Sequence, residues 1–147
     1  MVEGEAEACG SGLFAARAYR RGDVVAEFPR VYVARPEVHT LQVDDELHID
    51  TTGHPTRLLN HACDPSCAVD SVRCVLVAAR DLKAGDALTF DYLTTEWELA
   101  APFPCACGSA ACVGEVRGYR FATPAQRSLR AERVLPYLAA KTGLPGT

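Results

Sequence analysis

The sequence predicts a single, mostly β domain that ends in a short helical tail. Short runs rich in Val, Leu and Phe alternate with Gly, Pro and Asp clusters, the pattern of strands and turns. One strand–turn–strand unit occurs twice. A strong helix-start signal is found near the C-terminus. The 147 residues, 48% hydrophobic and 23% charged, suit one globular domain with a substantial core.

The repeated unit sets the first and middle strands. Segment 15–25, Ala-Ala-Arg-Ala-Tyr-Arg-Arg-Gly-Asp-Val-Val, is echoed by segment 78–88, Ala-Ala-Arg-Asp-Leu-Lys-Ala-Gly-Asp-Ala-Leu. Each copy reads as a short strand, a polar turn closed by Gly22-Asp23 or Gly85-Asp86, and a second strand at 24–28 or 88–92. Two copies are too few for a solenoid and predict two similar β-units in one domain. Further strands are expected at 31–34, Leu47–Asp50 and 72–78. Segment 35–45 reads as a loop or short irregular insert, and Pro102 and Pro104 interrupt the chain further on. Thr123 is a suitable helix cap, Pro124 suits the first helical position and Gln126 completes a capping box. Pro136 is expected to end or kink that helix.

Composition narrows the function. The formal net charge is −4 and no basic stripe is visible, so direct nucleic-acid binding is not expected. No apolar run approaches the length of a membrane span, so no membrane partner is expected either. The first residues, Met1-Val2-Glu3-Gly4-Glu5, lack the build of a signal peptide, and a cytoplasmic location is expected. In that reducing setting seven cysteines, an odd count, favour metal binding over disulfides.

Three of the cysteines, Cys105, Cys107 and Cys112, are crowded into one short segment. Thiolates at this spacing suit zinc, and a structural zinc site is closed by four ligands. No His or Cys follows Cys112, so the fourth ligand must come from earlier in the chain.

A second dense stretch is Arg57-Leu58-Leu59-Asn60-His61-Ala62-Cys63-Asp64-Pro65. It resembles the central motif of SET-domain protein lysine methyltransferases. Leu88-Thr89-Phe90-Asp91-Tyr92 resembles their second motif, Cys105-x-Cys107-Gly108-x-x-x-Cys112 their post-SET zinc segment, and Gly10-Ser11-Gly12-Leu13-Phe14-Ala15 their N-terminal Gly-x-Gly element. All four occur in the family's order. The chain departs from the pattern at Ala62, where the family often has Ser, and at Ser66, where it usually has Asn; no cysteine-rich pre-SET region is present.

The resemblance implies a SET β-fold of several small sheets with a knot-like C-terminal threading. A SET domain over 9–100, a post-SET zinc segment over 101–116 and a helical tail over 117–147 would follow. It implies methyl transfer from S-adenosylmethionine to the side-chain amine of a lysine in a protein or peptide. Cys63 would be the fourth ligand of one structural zinc ion, beside Cys105, Cys107 and Cys112. Cys9, Cys67 and Cys74 are expected as small buried residues.

Gly10, Ser11, Gly12, Leu13 and Phe14 would bring backbone close to the cofactor, with Arg57, Asn60 and His61 holding it or supporting those that do. Trp97 would cover the adenine or anchor the core. His39, His48 and His54 read as surface residues or supports. Tyr92 matches the catalytic tyrosine, and Phe90 would line the substrate channel and leave room for more than one methyl group. Asp91 is expected to brace its strand.

Lysine has a free pKa near ~10.4, so little of it is the neutral, nucleophilic amine at pH 7. A narrow apolar channel and a sulfonium neighbour lower that pKa, and no dedicated general base is expected. Alignment of amine and methyl group supplies much of the rate. Two other functions fit the same motifs: a non-catalytic, zinc-stabilised protein-binding module, and a methyltransferase acting on a small amine. Intact Tyr92, Asn60 and His61 favour an enzyme.

Overall fold

The computed structural model describes residues 1–6 and 10–143, and Cys9 lies outside them. The strands in chain order are β1 (Val2–Ala6), β2 (Gly10–Phe14), β3 (Val24–Glu27), β4 (Tyr32–Val33), β5 (Thr40–Asp44), β6 (Leu47–Asp50), β7 (Asn60–His61), β8 (Cys67–Asp70), β9 (Val75–Ala78), β10 (Ala87–Phe90), β11 (Phe103–Pro104) and β12 (Glu115–Val116). Two short helices follow, α1 (Pro124–Arg130) and α2 (Pro136–Thr142).

The described strands form several small sheets, ordered β1-β2-β10-β7, β3-β9-β8, β4-β6-β5 and β11-β12. The pairing that matters most for function is short. β7 runs parallel to β10, with Asn60 opposite Thr89 and His61 opposite Phe90. Two motifs about thirty residues apart thus become neighbours on one sheet.

The repeated units touch each other. Tyr19 and Leu82 exchange backbone hydrogen bonds at 3.0 and 2.8 Å. The turns are near copies: the Arg20 N–H donates to Asp23 Oδ2 at 2.8 Å and the Lys83 N–H to Asp86 Oδ2 at 2.9 Å. Gly22 and Gly85 both adopt a φ of 90°, a left-handed value that favours glycine. In the first unit the isolated Tyr19–Leu82 bridge stands in place of the expected short strand, whereas in the second unit β9 runs up to Ala78 before the turn.

Segment 35–45 departs from expectation. Its second half is β5, paired antiparallel with β6. Leu41 and Gln42 are adjacent yet both buried, so the alternation that marks a half-buried strand is broken. The Gln42 side chain is buried because it is paired: Oε1 takes the Trp97 N–H at 3.0 Å.

The tail also differs from a single kinked helix. Thr123 and Gln126 form the expected capping box at the start of α1. Pro136, however, is the first residue of a second helix, where its missing N–H costs nothing. Val134, Leu135 and Leu138 are buried in the same core as Leu13, Leu76 and Leu88. Each such side chain contributes about 1.5–3 kcal/mol on burial. Among the described residues, no helix is long and apolar enough to cross a membrane.

Candidate active site and metal centre

The parallel β7–β10 pair and the β11–β12 hairpin converge on one cavity of about 510 Å³. Its wall includes Arg57, Asn60, His61, Phe90, Tyr92 and Phe103. The size is typical of a small-molecule or cofactor site.

Tyr92 follows directly after Asp91, whose Oδ1 caps the next turn by accepting the Leu93 N–H at 3.0 Å. The Tyr92 hydroxyl donates to the Leu59 carbonyl at 2.5 Å, which fixes the ring. Three rings surround it, with centroids at 4.8 Å (Phe90), 5.3 Å (His61) and 6.0 Å (Phe103).

His61 is buried and doubly engaged. Its Nδ1 accepts the Tyr92 N–H at 3.0 Å, so the neutral ring carries its proton on Nε2, which points at Cys63 Sγ 3.1 Å away. Burial, and then the positive charge of Arg130, lower its pKa to about 4. A ring in this state is neutral and holds the backbone of Tyr92.

Asp91 anchors the network from behind. Its carboxylate lies 2.6 Å from Arg130 Nε, and both side chains are almost fully buried. Burial raises the Asp91 pKa, and the Arg130 charge opposes that shift. The brace expected of Asp91 therefore has a named partner on α1.

Asn60 reaches across β2. Its Nδ2 donates to the Ser11 carbonyl at 2.9 Å. A Cβ on Gly12 would stand 3.0 Å from that same nitrogen, so the small residue leaves room for the Asn60 amide. Gly10, Ser11, Gly12, Leu13 and Phe14 do not line the cavity themselves; Ser11 and Gly12 meet Asn60, which does. Arg57 lines the cavity and donates to the His54 carbonyl at 3.1 Å. His54 accepts the Thr56 N–H as a helix cap, His48 is buried, and His39 lies on the cavity wall.

Trp97 lies outside the cavity lining. It packs against the core, and Lys141 Nζ stands 5.1 Å from the centre of its ring. Its carbonyl would be 2.4 Å from any Cβ at Gly118, which explains that glycine.

Cys63, Cys105, Cys107 and Cys112 place their sulfurs within 4.8 Å of one another, and Cys63 and Cys105 are 3.8 Å apart. Four thiolates around zinc at ~2.3 Å require sulfur separations of roughly 3.8 Å, so this donor set fits a tetrahedral ion. Burial raises the Cys63 thiol to about 11 and pushes Cys105 up as well. At Cys107 burial acts upward too, but hydrogen bonds from the Ser109 and Cys63 sides bring it down to about 7. A divalent cation is the natural counter-charge for four thiolates held this close together. Cys67 and Cys74 are buried elsewhere and do not join this cluster.

Three residues of the site were missed in the sequence. Phe103 sits between the two prolines before the cysteines, where an aromatic was the available clue. Glu96 and Arg130 have no motif around them, and only their burial marks them out.

Residues 10–93 match the family model of the SET domain. The chain is 39% identical over 85 residues to a protein of Emericella nidulans named histone-lysine N-methyltransferase, H3 lysine-4 specific, covering 52% of this chain and 7% of that protein. It is 44% identical over 61 residues to the methyltransferase flvH of Aspergillus flavus, covering 40% of this chain and 34% of that protein. It is 27% identical over 131 residues to the histone-lysine N-methyltransferase ASHR3 of Arabidopsis thaliana, covering 74% of this chain and 26% of that protein. The chain thus spans between 7% and 34% of the length of these three relatives. With a matching model over more than half of its residues, the chain belongs to the SET domain family.

Proposed function

We propose that this chain transfers a methyl group from S-adenosylmethionine to the side-chain amine of a lysine in a protein or peptide. The observation that carries this reading is the junction itself: Tyr92, Asn60 and His61 share one cavity, and the four-thiol cluster lies against it through the His61–Cys63 contact. Relatives named as histone-lysine methyltransferases support a lysine-bearing protein as acceptor.

The residues present fit both groups the family uses. The thiol spacing suits zinc, and the Asn60 amide over Gly12, beside a cavity of about 510 Å³, suits a cofactor with polar ends. S-adenosylmethionine, when bound, supplies an electrophilic methyl group on a sulfonium. Arg57, Asn60 and His61 would hold it, with the backbone of Gly10–Phe14 behind Asn60. Tyr92 would orient the reacting groups from a ring already fixed by Leu59. Phe90 and Phe103 would exclude water from the acceptor amine, and Phe90 leaves room for more than one methylation. Zinc on Cys63, Cys105, Cys107 and Cys112 would be structural and would hold the post-SET segment, 101–116, against the SET segment, 9–100. The tail, 117–147, would brace Asp91 through Arg130.

The test is methyl transfer from labelled S-adenosylmethionine to a mixture of lysine-rich proteins, read by mass spectrometry. Lysine methylation that disappears in Tyr92→Phe is the expected result. Saturable cofactor binding with no transfer to any protein would show a binding module.

A further inference from the structure

Glu96 is a buried acid on the wall of the cavity, 8% exposed, with no assigned role. It lies one turn after Tyr92, and its own N–H donates to the Tyr92 carbonyl at 2.9 Å. Both residues line the same cavity. The carboxyl is held from one side only: Oε1 accepts the Gln42 N–H at 2.8 Å and the Thr95 hydroxyl at 3.1 Å. Its backbone is pinned as well, since the Glu96 carbonyl accepts the Tyr119 N–H at 2.8 Å.

What Glu96 lacks is a cation. The other deeply buried acid, Asp91, is paired with Arg130, whereas among the described residues no Lys, Arg or His forms an ion pair with Glu96. A buried carboxylate without a counter-ion is costly, so it takes up a proton or meets a charged partner, and such an acid on a cavity wall marks a candidate functional group. The cavity would bring such a ligand, an alkylammonium, to the residue.

We propose that, contrary to the expectation from sequence that no dedicated base is present, the Glu96 carboxylate receives the substrate's ammonium group and accepts its proton, which makes Glu96 a catalytic residue on the acceptor side of the cavity. This rests on the methyltransferase reading above. In the step, an N–H bond of the ammonium breaks, its electron pair stays on nitrogen and the proton moves to a Glu96 oxygen. The freed pair then attacks the methyl carbon while the carbon–sulfur bonding pair returns to sulfur. Glu96 releases its proton to solvent when product leaves.

The energetics suit this role. Burial raises Glu96 to about 7, against the opposing hydrogen bonds from Gln42 and Thr95. Desolvation moves the ammonium the other way, down from ~10.4, so the two groups approach each other. A carboxyl tuned to this range is the usual form of an enzymic base at neutral pH. The other ionisable groups around the cavity are Glu37, His39, Arg57, His61 and Tyr92, with the Cys105 and Cys107 thiols of the metal cluster beyond them. Behind Glu96 stands Tyr137 of α2, whose hydroxyl donates to the Thr95 carbonyl.

The test compares the wild-type chain with Glu96→Gln, which keeps the Oε1 acceptor for Gln42. Butylammonium serves as the probe and is titrated by NMR against 1-pentanol as a neutral control. Saturable butylammonium binding by the wild type is expected, weakened at least about tenfold in Glu96→Gln, the scale of one hydrogen bond to a charged group, with pentanol unaffected. In the wild type the 13C shift of the Glu96 carboxyl should follow saturation, a readout that needs no variant. Equal affinity in both proteins, or an unmoved Glu96 carboxyl, overturns the proposal. For methyl transfer, the wild-type rate should rise through an inflection near 7, and Glu96→Gln should lose that inflection; an unchanged profile also overturns it. A wild type that binds butylammonium yet methylates no protein overturns the functional reading instead.

Discussion

The Nε2 of His61 stands 3.1 Å from the sulfur of Cys63, while Nδ1 of the same ring takes the N–H of Tyr92 at 3.0 Å. One imidazole therefore joins the thiol cluster to Tyr92 on the cavity wall. With a metal on the cluster, a ring nitrogen in this place would orient the Cys63 ligand, as outer-shell groups commonly do at metal sites.

Metal removal should act on the site before it acts on the fold. Chelation is expected to lower cofactor affinity and turnover at least about tenfold. The far-UV circular dichroism of the β-sheets should change little, because the buried core of Leu13, Leu76 and Leu88 lies outside the cluster. Zinc content measured beside activity checks this. Full activity in metal-free protein would remove the link between the cluster and the cavity.

His61→Ala should weaken zinc binding by about 10–100-fold, the usual effect of losing an outer-shell partner. It also strips the Tyr92 N–H of its acceptor, with a cost of about 1–3 kcal/mol. Competition with a chromogenic zinc chelator measures the first effect and urea unfolding the second.

Arg130→Met should destabilise the chain by up to about 3–5 kcal/mol, because it removes the close partner of the buried Asp91 carboxylate and leaves the partly exposed Arg133, 3.9 Å away, on that oxygen. Asp91→Asn combined with Arg130→Met should recover part of that loss. A double-mutant cycle by denaturant unfolding reads the coupling. Additive losses would mean that the pair does not act as a unit.

Tyr92→Phe should lower turnover by about 10²-fold while cofactor affinity holds. The ring keeps its contacts with Phe90, His61 and Phe103, and the bond to the Leu59 carbonyl is lost. Stability should fall by about 1 kcal/mol. Loss of cofactor binding in this variant would give Tyr92 a structural role.

Glu96 should leave a mark on stability as a function of pH. Its pKa rises from an ordinary 4.5 to about 7 on folding, so between those values the native chain holds a proton that the unfolded chain has released. Its contribution is fully present below pH 4.5 and is lost as pH rises through about 7, a change of about 3 kcal/mol. Relative to wild type, Glu96→Gln should therefore gain stability on going from pH 5 to pH 8. Parallel unfolding curves at the two pH values would contradict the shift.

Local rules were legible in the sequence. The Gly22-Asp23 and Gly85-Asp86 turns, the Thr123–Gln126 capping box and the crowding of Cys105, Cys107 and Cys112 each depend on residues within a few positions of one another. Strand β5 was not legible, because Gln42 is buried by partners at Glu96 and Trp97, far along the chain. Pro136 was ambiguous for a similar reason: a proline both ends one helix and starts the next, and core packing of Leu135 and Leu138 decides which.

The mostly β character of this protein, its four motifs and the thiols suited to zinc follow from residues that are close along the chain. That Glu96 is buried beside Tyr92 with no ion pair among the described residues, that Arg130 is the partner of Asp91 and that Phe103 completes the ring cluster emerge from the folded chain. Periodicity and spacing report what neighbours along the chain can do, whereas desolvation and ion pairing depend on which distant segments close over a side chain.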